Sequence, residues 1–307
     1  MEKRAIVTGA GGMIGQALTA ELLEHGYEVL GILREGSPKE RQMREQFRGY
    51  GDRLKLICCD LKQLSTLELP KAEVCFQLAW AGTTGASRDD MYLQNENIRG
   101  VLDAVALAAR CGCSCFVGAG SQAEYGKAEG ALTAETPAFP LTGYGMAKLC
   151  AGQMSRKYCT ELGIRHVWAR ILSVYGPGNV EGSMVMSAIR GFQSGEPVKF
   201  TKGEQQWDYL YSTDAARALR LMGEAGKDGA VYPLGSGQVR PLAEYIQAIR
   251  TCVAPEAELR LGAIPYAPGQ VMYLKADITQ LTADTGFEPE ISFEEGIQRL
   301  WKQIQRK

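Results

Sequence analysis

The segment Tyr144-Gly-Met-Ala-Lys148 sets a phenol and an ammonium four residues apart, and of the chain's thirteen tyrosines this one alone has a lysine at that spacing. Residues so spaced share one face of a helix, so the two groups can act on one substrate. The same pair could also decorate an exposed helix face. What favours chemistry is the company of Ser121, which follows the apolar run Cys115-Phe-Val-Gly118.

Such a set needs a scaffold that brings a ligand to it, and the first fifteen residues supply one. A short apolar strand, Lys3 to Thr8, runs into Gly9, Gly12 and Gly15 in the pattern G-x-x-G-x-x-G, followed by an amphipathic run through Ile14, Leu18, Leu22 and Leu23. Strand, glycine turn and helix in that order make a dinucleotide site: one glycine permits the turn, another lets backbone approach a pyrophosphate, a third lets helix pack on strand. The helix start, at Met13 and Ile14, then offers unpaired N–H groups and a positive dipole end to phosphates. A second strand, Glu28 to Leu33, ends at Arg34, with Ser37 and Lys39 beyond. An acidic residue there would bind the ribose 2′-hydroxyl of NAD, whereas a basic one accommodates the 2′-phosphate of NADP. Arg34 therefore points to NADP, with NAD open; a solvated charged loop is the other reading.

Leu54 to Cys58 and Val74 to Leu78 read as further strands, closed by Asp60-Leu61 and by Ala79-Trp-Ala-Gly82. Small residues such as Ala79 and Ala81 let a cofactor lie close. Asp60 is placed to meet an adenine edge or to cap a turn. A helix over Asn97 to Arg110, a strand over Cys113 to Val117, the helix carrying Tyr144 and a strand over Arg165 to Leu172 complete an α/β alternation, which implies a doubly wound parallel sheet. Residues 1–172 thus read as the dinucleotide-binding domain, with interleaved elements near 206–234. Residues 173–307 read mainly as a smaller α/β substrate lobe, its turns marked by Gly195-Glu-Pro197, Gly235-Ser-Gly237 and Ala267-Pro-Gly269. Helices are expected over Thr213 to Ala225, Leu242 to Cys252 and Asp277 to Thr285, and a last one opened by the capping box Ser292-Phe-Glu-Glu295.

With 307 residues, 45% of them hydrophobic, the chain can bury a full core. A net charge of −1 offers no field for nucleic acid or an anionic membrane. No apolar run reaches the roughly twenty residues of a membrane span, and nothing resembles a signal peptide, so a cytoplasmic protein is expected. Nine cysteines, several of them in apolar runs (Cys58, Cys59, Cys75, Cys115), read as small buried hydrophobes in a reducing compartment. The alternate spacing of Cys111, Cys113 and Cys115 does not match zinc patterns, so no metal is expected.

Taken together, Thr8-Gly-Ala-Gly-Gly-Met-Ile-Gly15, Asp60-Leu61, Leu78-Ala79, Asn97, Ser121 with Glu124-Tyr-Gly126, Tyr144 with Lys148, and Arg170 with Tyr175-Gly-Pro177 give the whole chain a family likeness. It resembles the extended short-chain dehydrogenase/reductases of the nucleotide-sugar epimerase, dehydratase and reductase group. The resemblance implies that Tyr144 is the general acid/base at a sugar oxygen, that Ser121 hydrogen-bonds that oxygen, and that Lys148 holds the nicotinamide ribose and lowers the tyrosine pKa. A free phenol titrates near 10, so an adjacent ammonium would help it ionise. Substrate contacts are expected from Gln122, Arg170, Ser173, Tyr175, Asp208 and Arg240, and a homodimer through the helices of Asn97 to Arg110 and Tyr144 to Glu161.

Departures from the family pattern narrow the reaction. Sugar 4,6-dehydratases place an acidic pair after the catalytic Ser or Thr, where this chain has Gln122 and Ala123. Gln77 stands where histidine is common, Ser173 where asparagine is, and Trp207-Asp208 where Arg-Asp is. The leading expectation is reduction of a nucleotide-activated 4-keto-6-deoxy sugar with NADPH, Tyr144 giving the proton. The alternative is a nucleotide-sugar C4 epimerase with retained NAD. A non-catalytic cofactor sensor on the same fold is the third reading.

Overall fold

The computed structural model describes residues 3–179, 181–195, 197–267 and 269–306. Glu196 and Pro268, from two of the expected turns, lie outside the described residues.

Six strands follow the chain in order: β1 (Arg4–Thr8), β2 (Glu28–Leu33), β3 (Leu54–Cys58), β4 (Val74–Gln77), β5 (Cys115–Ser121) and β6 (Arg165–Ile171). With Ala230–Leu234 they make one seven-stranded sheet in the order Ala230–Leu234, β6, β5, β4, β1, β2, β3. Every pairing is parallel. Side chains alternate between faces with period two, and each face meets its own helices. Val7, Val29, Phe76 and Val117 pack with Leu18, Leu22 and Leu23 of α1 (Met13–Glu24) and with Ala215, Leu219 and Met222 further along. Ile6, Leu30, Cys75 and Phe116 pack on the opposite face with Val101, Ala104 and Leu107, and with Ala151 and Cys159. The chain is thus the expected Rossmann-type doubly wound sheet.

The remaining helices are α2 (Lys39–Gln46), α3 (Met91–Arg110), α4 (Gly143–Leu162), α5 (Met184–Ser194), α6 (Ser212–Ala225), α7 (Leu242–Val253), α8 (Thr279–Thr285) and α9 (Phe293–Gln305). The α3 and α4 helices cover one face; α1 and α6 cover the other. The α5, α7 and α9 helices close a separate aromatic core around Tyr175, Tyr211, Tyr245 and Phe293. Ser292 caps α9 by accepting from the Glu295 N–H at 3.2 Å, while the Glu295 carboxylate turns away to Arg299 at 2.6 Å, so only half of the expected capping box is visible. Among the described residues no helix is long and apolar enough to cross a membrane.

One side chain sets the spacing on the α4 face. Trp168 is 2% exposed and stands in register with Gly118 on the neighbouring strand. A Cβ at Gly118 or Gly120 would collide with its ring, and one at Gly152 of α4 would come within 2.7 Å of it. Three glycines therefore make the slot that this indole fills. Of the cysteines, Cys59, Cys75 and Cys115 are buried as expected, but Cys58 is exposed, its thiol donating to Glu40 at 3.1 Å.

Overfilling a packed core is destabilising. Gly118→Val is expected to lower stability by about 2 kcal/mol, read as a fall in the urea midpoint at unchanged slope. Gly49→Ala, where an added Cβ meets nothing within 4 Å, serves as the silent control.

Candidate active site

The strand order reverses direction beside β1, and open α/β sheets take their ligands at such a switch point. A cleft of about 460 Å³ lies there, lined by Gly9, Gly12, Arg34, Asp60, Leu61, Leu78, Ala79, Ala81 and Asn97 of the expected cofactor residues. Gly9 has φ +68°, and a Cβ on it would stand 2.8 Å from the Ala79 N–H nitrogen. Glycine is thus required where β1 and β4 converge. Gly15 sits on the Gly9 carbonyl so closely that a side chain would clash. Met13, Ile14 and Gly15 form the first turn of α1 rather than the cleft wall. No side chain caps that helix start, which leaves its N–H groups free for phosphate.

Polar side chains hold the cleft's far wall. The Thr8 hydroxyl accepts from the Leu78 and Ala79 N–H groups at 3.1 and 3.2 Å and donates to Gln77. Asn97 grips Ala81 through its N–H and its carbonyl, both at 2.9 Å. Asp60 starts the short turn 61–63, its own N–H donating to Gln63 at 3.0 Å, and also faces the cleft. The turn-capping reading of this residue therefore holds. Exposed Arg34 lines the end of the cleft with Ser37 and Lys39. Backbone N–H groups at a glycine turn, an uncapped helix and a basic end fit a dinucleotide.

Beyond Trp80 at the cleft edge stand the three catalytic candidates. Ser121 ends β5, Tyr144 and Lys148 lie on the first turns of α4, and the Ser121 hydroxyl lies near enough to the Tyr144 phenol to ease its ionisation. Tyr144 is 9% exposed and Lys148 is 4% exposed. Trp80 meets Tyr144 edge-on, centroids 6.0 Å apart, and the Lys148 ammonium nitrogen lies 3.8 Å from the Trp80 ring centroid. That nitrogen donates to the Ala119 carbonyl at 2.6 Å.

Burial corrects the expected electrostatics. It pushes the Tyr144 phenol up, against the pull of Ser121 and of Arg88, and it pushes Lys148 down to about 7. Lys148 stands 5.9 Å from the Tyr144 ring centroid, and its burial works against the ammonium form. The groups that ease ionisation of the phenol in this protein are Ser121 and Arg88.

Several expected substrate contacts have other work. Arg170 is buried and pairs with Glu124 at 2.8 Å, its guanidinium 4.5 Å from the Tyr125 ring centroid. Glu124 in turn accepts from the Ser121 N–H at 2.7 Å and from the Trp168 indole at 3.1 Å. Arg170 thus serves Ser121 from behind, through Glu124. Tyr175 is 1% exposed, its hydroxyl donating to the Phe293 carbonyl at 3.1 Å. Asp208 is fully buried, accepting from Ser236 N–H at 2.7 Å, Ser236 hydroxyl at 2.6 Å, and Gly237 and Ala276 N–H at 3.0 Å. Neither presents a free polar group. Ser173 accepts from the Trp207 indole at 2.8 Å, so the tryptophan in place of arginine is part of the lobe's packing. Gln122 is half-buried beside Ser121. Arg240 pairs with Glu294 at 2.6 Å and lines a cavity of about 200 Å³ with Tyr209, Ser236, Gln238 and Tyr245.

Two residues escaped the sequence reading. Trp80 was visible as a lone indole among small residues at a strand end. Arg88 carried no signal, because its place depends on how the 82–90 segment folds back.

Fold and family together define an enzyme that uses a nicotinamide dinucleotide. The chain belongs to the NAD dependent epimerase/dehydratase family, whose model matches residues 5–235. A putative UDP-glucose 4-epimerase of Methanocaldococcus jannaschii is 26% identical over 306 residues, covering 96% of each chain. Two solved structures share the fold. The UDP-N-acetylglucosamine 4-epimerase of Methanobrevibacter ruminantium, in complex with UDP-N-acetylmuramic acid, has a TM-score of 0.88 at 22% identity and covers 100% of this chain and 99% of its own. A tyrosine-to-phenylalanine variant of the UDP-glucuronic acid 4-epimerase of Bacillus cereus, in complex with a 4-deoxy-4-fluoro analogue of UDP-glucuronic acid and NAD, has a TM-score of 0.86 at 23% identity, covering 99% of each chain.

The Lys148 shift has a signed consequence. An unfolded lysine keeps its proton to about 10.5, whereas folded Lys148 loses it near 7. Between those limits the unfolded chain binds the extra proton, so this residue makes stability rise with pH. The parent is therefore expected to gain stability relative to Lys148→Met as pH goes from 7 to 10, followed as the difference in Tm. A difference that stays constant with pH would mean that the buried ammonium remains charged.

Proposed function

We propose that this enzyme interconverts hydroxyl and keto groups on the sugar of a nucleotide-activated sugar, with Tyr144 as the general acid/base. The observation that carries the reading is the gathering of Ser121, Tyr144 and, one helical turn on, Lys148 against Trp80 at the edge of the dinucleotide cleft. Ser121, its backbone held by Glu124, orients the reacting oxygen; Tyr144 gives that oxygen a proton or takes one from it. Gly9, Gly12, Asp60, Ala79, Ala81 and Asn97 hold the nicotinamide dinucleotide, and Lys148 meets its ribose. When bound, that cofactor supplies or accepts the hydride.

Two forms of the reaction have separate support. Reduction of a 4-keto-6-deoxy sugar nucleotide with NADP is favoured by Arg34, Ser37 and Lys39 at the end of β2, and by Gln122 and Ala123 in place of dehydration acids. C4 epimerisation with retained NAD is favoured by three of the relatives, a putative 4-epimerase and two solved 4-epimerases, one of them with NAD. Exposed Met91 and Tyr92 on α3, and Met146 and Met154 on α4, support a homodimer through those helices. Nine free thiols support a cytoplasmic setting.

Absorbance and mass spectra of nucleotide released by denaturing the purified protein separate the two forms. Bound NAD or NADH, with turnover in the absence of added nicotinamide, selects the epimerase. A site that comes free of nucleotide and then binds NADPH more tightly than NADH selects the reductase. In either case Tyr144→Phe is expected to lower kcat by about 10²- to 10⁴-fold with dinucleotide binding retained; turnover at the parent rate would refute the role of Tyr144.

A further inference from the structure

The surroundings of Tyr144 hold a charge to which the chemistry so far gives no part. Arg88 lies in the short turn Gly85–Asp89, half-buried, with its guanidinium carbon 4.5 Å from the Tyr144 ring centroid. One guanidinium nitrogen donates to the Thr83 carbonyl at 3.1 Å. Among the described residues these are its partners, and no carboxylate neutralises it.

The turn is fastened to both halves of the site. Gln94, 2% exposed, donates to the Gly82 and Ser87 carbonyls, both at 2.9 Å, and accepts from the Trp80 indole at 2.9 Å. Asp89, next to Arg88, accepts from the Gly143 N–H at 2.8 Å, at the start of the helix that carries Tyr144 one residue later. A side chain on Gly143 would press on the Arg88 carbonyl at 3.1 Å, so the two backbones are in direct contact. Arg88 is therefore held against the phenol by the turn's own attachments rather than by chance packing of a long side chain.

A cation beside a phenol favours the charged form of that phenol and is attracted to the ring face. The charged groups that face Tyr144 are few. Arg88 and Asp89 come from the 85–89 turn, Glu124 from the turn after Ser121, and Lys148 from α4 itself. Glu124 opposes ionisation of the phenol. Lys148 is farther off at 5.9 Å and donates to the Ala119 carbonyl. Asp89 is engaged with the helix start. That leaves Arg88 as the near cation.

We propose that Arg88 is a positioning residue for the proton chemistry of Tyr144: locked by Gln94 and Asp89 against the catalytic helix, its guanidinium stabilises the phenolate that forms when the phenol O–H bond breaks and the sugar oxygen takes the proton. The proposal rests on Tyr144 as the general acid/base.

The test replaces Arg88 by Met, which keeps length and removes charge, and by Lys, which keeps charge. Tyrosine labelled with ¹³C at Cζ allows the phenol to be titrated directly by NMR in the intact protein, with Tyr144→Phe assigning its signal. The midpoint is expected to move up by about one unit in R88M and to return in R88K, a roughly tenfold change in phenolate at fixed pH. The limb of the kcat/KM profile that disappears in Y144F should move by the same amount. An R88M protein with the parent midpoint and the parent limb overturns the role of Arg88, even where Y144F is inactive. Parent turnover in Y144F overturns the acid/base reading instead, whatever R88M does to the midpoint. Should R88M fail to fold, R88Q gives the same readings.

Discussion

A carboxylate buried without water has to be matched on every side, and Glu124 is such a group. Its oxygens receive the Ser121 N–H, the Trp168 indole and the Arg170 guanidinium, and the charge of Arg170 offsets its own in a place where an unpaired charge would be prohibitive. Those donors come from two neighbouring strands of the sheet. Ser121 is the last residue of β5, Trp168 and Arg170 lie two apart on β6, and Trp168 reaches across to α4. One anion therefore fixes the end of β5 at Ser121, the distance between two central strands, and the height of α4 above them. The glycines at 118, 120 and 152 serve the same arrangement, since only a bare backbone leaves room for the indole that donates to Glu124.

The same low-polarity setting explains why Tyr144 and Lys148 do not behave as a simple ion pair. Removing both from water opposes the phenolate and the ammonium alike, and the ammonium is turned to the Ala119 carbonyl. A site of this kind holds its proton until another charge is brought near the phenol. Trp80 adds a polarisable wall against which the lysine can rest in either protonation state.

The sequence announced those parts of the protein in which local rules decide. Strand, glycine turn and amphipathic helix at residues 4–24 have one physical solution, and the strands Glu28–Leu33 and Leu54–Cys58 end where their apolar runs end. Tyr144 and Lys148 were legible through helical spacing only in the company of Ser121 and the family motifs. The α5 helix and the uses of Arg170, Tyr175 and Asp208 were not. A polar residue in a motif looks the same on paper whether its side chain faces a ligand or a buried N–H group, and only long-range packing separates the two. Asp208 shows this well: its partners at Ser236, Gly237 and Ala276 are nearly thirty to seventy positions away. Trp207 and Ser173 answer each other across the same kind of interval, which is why two departures from the family pattern are in fact one contact.

The edge strand Ala230–Leu234 lies beside β6 although residues 173–211 run elsewhere before the chain returns to the sheet through α6. The C-terminal lobe is therefore built from two stretches on either side of that return, not from one detachable piece. A cut of the chain between β6 and α6 would strip the sheet of α6 and of its outermost strand, exposing the apolar face of α1 and an unpaired row of backbone groups along β6. A C-terminal segment exchanged between such chains therefore has to carry α6 and this strand with it.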